Sequence, residues 1–252
     1  MRAAVRTGIA GPAVMLAALL TGCGSTQGPP DPGRPAASGN PSTAPGVDGE
    51  ADRDRVFTDA DLEAALLPAG AFGGRARVTG TELGLFGRYG GGDWVGCEPG
   101  NALRGELTGF EGTSAQQTVR ITPAAGGGRT VTVQLVSMPT GRTERYLEVR
   151  RLLHQVCPDV AVDTEAAPVL EHHKARELAA LGDDALLEIS RQTGGDDDGT
   201  PSYAVDVRVG GVLAIVRAGG DKDTAVSLAA RAALRIRTEL YGARPRAVTS
   251  RP

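Results

Sequence analysis

Aromatic side chains, cysteines and catalytic motifs are all scarce in this sequence of 252 residues. Only 4 % of the residues are aromatic, with one tryptophan among them, and there are 3 cysteines. The core must therefore be built from Val, Leu, Ile and Ala. The sequence has no G-x-S-x-G elbow, no glycine loop followed by Lys and Ser or Thr, no C-x-x-C pair and no zinc-type spacing. We therefore predict no catalytic residue, no cofactor and no metal ion.

An excess of positive charge is also lacking. The formal net charge is −3, and loss of Arg2 and Arg6 with the export signal described below makes the mature chain more negative still. Nucleic-acid binding draws on an excess of Lys and Arg that neutralises phosphates. We therefore expect no nucleic-acid partner.

The apolar run near the N-terminus is too short to span a membrane. It covers residues 8–20 and includes Pro12, whereas a spanning helix needs about 20 apolar residues. Basic residues precede the run and Leu20-Thr21-Gly22-Cys23 follows it, which is the order of a signal peptide. These last four residues resemble the bacterial lipobox, in which the cysteine sulfur receives lipid before a peptidase cleaves ahead of it.

This resemblance implies a signal peptide over residues 1–22, cleavage between Gly22 and Cys23, and lipid on Cys23. Acyl chains such as palmitate would then hold the mature protein on the extracytoplasmic face of the cell membrane, because two or more chains give stable anchoring. The alternative is an ordinary secreted protein with a chance cysteine at this position.

Bulky apolar residues are almost absent from residues 24–54, which instead hold six prolines among Gly, Ser and Asp. Such a composition cannot offset its ordering entropy. We predict a lipidated cysteine and disordered tether over residues 23–54, a folded domain over residues 55–243, and a flexible basic tail over residues 244–252.

The two remaining cysteines, Cys97 and Cys157, are expected to form a disulfide. Thiols outside the cytoplasm tend to be oxidised, and no other cysteine is left once Cys23 carries lipid. Two free buried thiols are the alternative. The only tryptophan, Trp94, lies close to Cys97 in sequence, and we favour packing of its ring against the disulfide over a place in the wall of a cleft.

A capping box marks the first helix of the folded part. Thr58 and Asp61 are spaced as its two members, Phe57 and Leu62 flank them as a hydrophobic staple, and Pro68 ends the helix. Glycines are dense from residue 70 to residue 112, so that only short strands are predicted there, near residues 75–79 and 94–97.

The rest of the chain alternates between strand and helix patterns. Strands are predicted at residues 117–122, 130–138, 169–174, 185–193, 202–209 and 212–217, and helices at residues 140–156 and 223–240. Short connections favour antiparallel pairing. The predicted fold class is therefore α+β: a single domain in which an antiparallel sheet is covered by two to three amphipathic helices and stapled by one disulfide.

This order of elements resembles the extracellular sensor domain of mycobacterial PknH-type serine/threonine kinases, and the actinobacterial lipoproteins that share it. The similarity rests on residues 57–62, on the helix that ends at Cys157, on Leu181-Gly182-Asp183-Asp184-Ala185, and on the closing hairpin and helix. The family has two disulfides and a central cleft, and this chain has cysteines for one. The resemblance implies a non-enzymatic sensor domain with a ligand cleft.

The histidines are interpreted as surface residues. His172 and His173 are adjacent, so that on a strand they point to opposite faces and cannot easily share a metal ion. His154 is placed on the polar side or the edge of its helix. We expect an exposed pair and a solvated third histidine.

Two acidic groups are interpreted as turns. Asp183 and Asp184 could form a paired-carboxylate site. We favour the alternative, in which both belong to a turn and accept hydrogen bonds from neighbouring amides. The run from Asp196 to Gly199 resembles half a calcium loop and lacks the distal glutamate of one. We expect a solvated hairpin tip there.

Three functions remain open from the sequence. The preferred one is a non-enzymatic sensor or ligand-binding domain for a small molecule. The others are a scaffold for another envelope protein and an unrecognised envelope enzyme. A pocket with converging polar groups would favour the first, a flat apolar patch the second, and carboxylates or histidines at the pocket floor the third. The sequence names no ligand-binding residue.

Overall fold

Eight strands form one antiparallel sheet at the centre of the computed structural model, which describes residues 44–45, 52–87, 94–122, 128–162, 169–195 and 197–242. The spatial order of the strands is β2-β3-β4-β10-β9-β8-β6-β5. Two further short strands, β1 and β7, pair in parallel as a separate ribbon. The strands are β1 (Ala44–Pro45), β2 (Ala76–Leu83), β3 (Thr113–Ile121), β4 (Arg129–Ser137), β5 (Asp159–Val162), β6 (Val169–Glu177), β7 (Leu181–Gly182), β8 (Asp184–Thr193), β9 (Pro201–Val209) and β10 (Val212–Gly219).

Within the described ranges, four helices cover the two faces of this sheet. They are α1 (Asp59–Ala65), α2 (Asn101–Thr108), α3 (Thr140–Val156) and α4 (Lys222–Arg235), and a π-helical turn, Ile236–Leu240, continues α4. Single 3-10 turns, Ala69–Phe72 and Glu98–Gly100, precede β2 and α2. No helix in the described part of the chain is long and apolar enough to cross a membrane.

Alternation along the strands separates two buried clusters, because successive side chains point to opposite faces. On β9, Val205, Val207 and Val209 belong to the cluster that α1 and α4 cover. On β10, Leu213 and Ile215 belong to the other cluster, under α2 and α3. The sheet is therefore a central layer with apolar contacts on both sides.

The predicted capping box starts α1. The Asp61 amide donates to Thr58 Oγ1 at 3.2 Å, and the Thr58 amide donates to Asp61 Oδ2 at 3.0 Å. The hydrogen bonds from Thr58 hold the pKa of Asp61 below its ordinary value. Both staple residues, Phe57 and Leu62, are buried.

The first turn of α3 is capped by residues that precede α1. Pro139 at the N-cap has no side-chain oxygen, and a helix leaves its first amides without partners. The Thr140 amide donates instead to Asp54 Oδ1 at 3.1 Å, and the Thr140 hydroxyl donates to the Arg53 carbonyl at 2.6 Å. Arg53 also pairs with Asp183 at 3.0 Å, so these residues contact the domain.

The predicted fold class is confirmed, as are the predicted strands that become β3, β4, β6, β8, β9 and β10 and the predicted helices that become α1, α3 and α4. The predicted strand at residues 94–97 is wrong, because that segment turns and leads into α2. Helix α2 and the edge strand β5 were not predicted. The domain boundaries, the signal peptide, its cleavage site and lipid on Cys23 remain predictions, since residues 1–43 and 243–252 lie outside the described residues.

Candidate functional site

The sheet face under α3 is apolar at one end and polar at the other. The apolar end, which packs against α3, contains Val136, Leu186, Leu213 and Ile215, all buried. Further along the same strands, the residues that point to this face are small or polar. The change in side-chain character leaves an open cavity beside α3.

One cross-strand row forms part of the cavity floor. Arg217 of β10 lies opposite Thr132 of β4 and Ala204 of β9, and Ala204 lies opposite Glu188 of β8. The charged side chains of Arg217 and Glu188 therefore flank the methyl group of Ala204. The short side chain of Ala204 leaves space above the centre of the row.

A second row lies beside the first. Ser202 of β9 lies opposite Gly219 of β10 and Ser190 of β8, and Ser190 lies opposite His173 of β6. The hydroxyls of Ser190 and Ser202 are hydrogen-bonded at 2.6 Å. Together the rows line a cavity of about 230 Å³, which Trp94, Arg150, His154 and Glu171 also line. We call this the α3 cavity.

A buried ion pair stands in the wall of the α3 cavity. Arg150 Nε donates to Glu188 Oε1 at 2.7 Å, and Arg150 Nη2 donates to Glu188 Oε2. The two side chains are only 4 % and 7 % exposed. Asp206 Oδ2 lies 3.9 Å from Arg150 Nε, on the same buried network. Two parallel bonds fix the guanidinium more firmly than one bond would.

His154 is the second polar residue that α3 contributes, one helical turn beyond Arg150. Its Nε2 lies 3.4 Å from Glu188 Oε1, so Glu188 is held between two basic groups. Burial acts to raise the pKa of Glu188, but the Arg150 charge and the His154 hydrogen bond outweigh it and hold that pKa well below its ordinary value. Glu188 is therefore a permanent anion at neutral pH.

Trp94 packs against the residues that hold Glu188. The Arg150 guanidinium lies 4.6 Å from the centre of the indole ring, a cation–π arrangement. The His154 ring meets the indole edge to face at 5.2 Å, and the His173 ring lies 5.3 Å from it. Trp94 is 1 % exposed, and its Nε1 has no hydrogen-bond partner in the described part of the chain.

His173 and Glu171 point to the same face from alternate positions of β6. His173 Nε2 lies 3.4 Å from Glu171 Oε2, and Gln192 Nε2 donates to Glu171 Oε1 at 3.1 Å. His173 is 6 % exposed. The cavity therefore has two carboxylate–imidazole pairs in its lining.

The disulfide holds the Trp94 segment against the end of α3. Cys97 and Cys157 are bonded across a separation of 60 residues with their Cα atoms 6.0 Å apart, which confirms the predicted bridge. A Cβ atom at Gly100 would lie 2.6 Å from Cys157 Sγ, so only glycine fits beside the bridge. The covalent link thus positions Trp94 above residues supplied by α3.

The structure corrects two interpretations of the sequence, those of the histidines and of Val156, and adds to a third, that of Trp94. His154 and His173 are buried rather than solvated, and Trp94 lines the cavity, although it also belongs to the same buried cluster as the disulfide. The spacing of Tyr146, Val149, Leu153 and Val156 predicts one apolar stripe on α3, but Val156 is 42 % exposed. The reason is that β8 presents a carboxylate under α3, so that the helix buries Arg150 and His154 instead.

His172, Asp183 and Asp184 take part in contacts outside the α3 cavity. His172 points away from His173 and contacts Asp159 Oδ1 at 2.6 Å. Asp183 accepts from the Gly210 amide at 2.6 Å, whereas Asp184 accepts from Arg151 at 2.5 Å. These two carboxylates therefore serve separate partners.

The acidic hairpin tip is confirmed where it is described. Asp198 Oδ1 accepts from the Gly194 amide at 2.9 Å, which closes the turn between β8 and β9; Asp196 lies outside the described residues. Among the described residues, no group of three or more His, Cys, Asp or Glu side chains is placed to hold a metal ion.

Comparison with known proteins gives a similarity of structure and none of sequence. No protein-family model matches this sequence, and no curated protein matches it. A crystal structure of the extracellular domain of PknH from Mycobacterium tuberculosis is similar, with a TM-score of 0.42 and 14 % sequence identity, over 71 % of this chain and 96 % of that chain.

Proposed function

We propose that this chain is a lipid-anchored lipoprotein of the extracytoplasmic face whose folded domain binds a small polar ligand in the α3 cavity, without catalysing a reaction on it. The observation that carries this proposal is the cavity itself. It combines about 230 Å³ of space with polar groups from five strands and one helix. Convergent polar groups in a concave site are the general mark of a small-molecule site.

The cavity wall is rigid before any ligand enters. Arg150 is fixed by Glu188 at two points and by the face of Trp94, and the disulfide between Cys97 and Cys157 holds the Trp94 segment in place. A preformed site loses little side-chain entropy on binding. This arrangement supports specific recognition of one ligand type.

The carboxylate–histidine pairs favour binding over catalysis. A general base needs a pKa close to the working pH, whereas Arg150 and His154 hold the pKa of Glu188 well below its ordinary value. The Ser190 hydroxyl is bonded to Ser202, which leaves it a poor candidate for a nucleophile activated by histidine. These contacts support a binding site without chemistry.

The proposed anchor rests on the N-terminal sequence, with its basic, apolar and Leu20-Thr21-Gly22-Cys23 segments. Changing Cys23→Ala should release the protein from the membrane fraction or leave the precursor uncleaved, whereas the neighbouring change Ser25→Ala should alter neither. Equal membrane retention and processing of both variants would overturn the lipid anchor.

Ligand binding is tested by native mass spectrometry of the protein purified from its own host. The wild type should carry a small molecule that dissociates on activation. Ala204→Leu, which fills the centre of the floor, should lose it, and Ala161→Leu on the exposed edge strand β5 should keep it. The proposal would be overturned if the wild type carried no small molecule, or if it carried only a protein partner.

A further inference from the structure

We infer that the α3 cavity takes a small hydroxylated anion of the sugar-acid type, whose acidic group is held by Arg217. This inference rests on the proposed function and names the chemistry of its ligand. It depends on which polar groups of the cavity already have partners within the protein and which do not.

Arg217 is the charged group of the cavity that remains available. It lies in the floor row between Thr132 and Ala204, it is exposed, and it has neither an ion pair nor a hydrogen bond within the described ranges. Arg150, by contrast, is buried and engaged by Glu188. A guanidinium presents a planar fork that matches a carboxylate at two points.

The acidic groups of the cavity are already engaged. Glu188 is paired with Arg150 and His154, and Asp206 lies beside the same guanidinium. Glu171 accepts from Gln192 and faces His173. These carboxylates are thus engaged within the protein, and Arg217 is the charged lining residue that is exposed.

Buried polar atoms of Trp94 and His154, in the wall of the cavity, also lack hydrogen-bond partners among the described residues. Neither Trp94 Nε1 nor His154 Nδ1 has a hydrogen-bond partner among the described residues, and the two residues are 1 % and 7 % exposed. The indole nitrogen can only donate, whereas the imidazole nitrogen accepts when Nε2 carries the proton toward Glu188. A buried polar group without a partner is costly. A ligand that carries hydroxyl groups supplies both a donor and an acceptor to these two side chains when they turn toward it.

The remaining floor and the size of the cavity suit the same ligand. Side chains with hydroxyl groups line the floor at Thr130, Thr132, Ser190 and Ser202. The space of about 230 Å³ is smaller than the roughly 300–1,000 Å³ of sites for drug-sized ligands. One substituted sugar ring is of this size, and a nucleotide is larger.

Trp94, as the only tryptophan, reports on this cavity directly. Its fluorescence is titrated in the oxidised domain with glucuronate, glucose and glucosamine, which share a ring and differ in charge. We expect glucuronate to bind at least tenfold more tightly than the other two and to weaken as salt is added. Arg217→Gln should weaken glucuronate binding about tenfold. Arg191→Gln, which changes an exposed residue of β8 outside the cavity lining, should leave glucuronate binding unchanged.

Each other outcome overturns the inference. Equal affinity for the three sugars, tighter binding of glucosamine, no response to any of them, or an Arg217→Gln variant that binds glucuronate like the wild type would each show that the ligand is not a hydroxylated anion held by Arg217. The proposed function fails on a separate result, namely a host-purified wild type without a bound small molecule. Urea midpoints of both arginine variants confirm that the fold is retained.

Discussion

Arg150 of α3 and Glu188 of β8 are joined at two points, Nε to Oε1 at 2.7 Å and Nη2 to Oε2, with both side chains almost fully buried. This pair links the helix to the sheet at the wall of the α3 cavity. A buried ion pair contributes less than its Coulomb energy, because both charges lose water. Removing one partner is nevertheless strongly destabilising, because it leaves the other charge buried without a counter-charge.

Replacing Arg150 by Met should destabilise the domain by about 3–5 kcal/mol, because Glu188 is then buried without its main partner. Chemical denaturation of the oxidised protein measures the loss. The double variant Arg150→Met with Glu188→Leu should recover most of it, since no buried charge is left unpaired. An Arg150→Met variant as stable as the wild type would mean that the pair is not buried as described.

The pKa of Glu188 predicts how stability depends on pH. A carboxylate whose folded pKa is depressed contributes stability that is fully present above its unfolded pKa and lost as the pH falls toward the folded pKa. For Glu188, the loss should begin near its ordinary value of 4.5 and grow below it. The gap in unfolding free energy between wild type and Glu188→Gln should therefore narrow below pH 4.5. A gap that stays constant from pH 7 to pH 3 would contradict this assignment.

The disulfide should contribute strongly to stability. Closing a loop of 60 residues between Cys97 and Cys157 corresponds to about 4 kcal/mol in the chain-entropy account. The Cys97→Ser/Cys157→Ser double variant should lose about this amount in urea unfolding, and its Trp94 fluorescence should shift as the indole segment loosens. A loss below about 1 kcal/mol with unchanged fluorescence would show that packing alone positions Trp94.

The contact between Asp54 and Thr140 predicts a smaller effect. Asp54→Ala removes the side chain that accepts from the first amide of α3, and loss of such a cap costs about 1 kcal/mol. Asp52→Ala, which removes a carboxylate whose hydrogen-bond donor among the described residues is the nearby Asp54 amide, serves as the matched control. Equal unfolding free energies for the two variants would mean that α3 does not depend on this cap.

Much of the fold could be predicted because its signals are local. The alternation of Val205, Val207 and Val209 identifies β9, and the capping box at Thr58 identifies the start of α1. The short elements α2 and β5 were missed. Helix α2 follows a glycine-dense segment, and β5 has only four residues after a proline.

The candidate site could not be predicted, because its residues meet across the sheet. Arg150 and His154 interrupt the apolar pattern of α3, and their burial makes sense only once Glu188, on a strand 38 residues further along, lies beneath the helix. His173 is equally ambiguous, because the sequence does not say which face of β6 is covered. The proximity of Trp94 to Cys97 was the one available signal, and it favoured the disulfide over the cavity.

The central claim, that the α3 cavity binds a small molecule, is tested most directly at Trp94. Protein labelled with 5-fluorotryptophan gives a single fluorine resonance, since the chain has one tryptophan. Adding the small-molecule fraction of the host cell envelope to oxidised, ligand-free protein should shift that resonance in the wild type and in Ala161→Leu, but not in Ala204→Leu. A resonance that stays unchanged in the wild type, or that shifts equally in Ala204→Leu, would contradict a ligand site in this cavity.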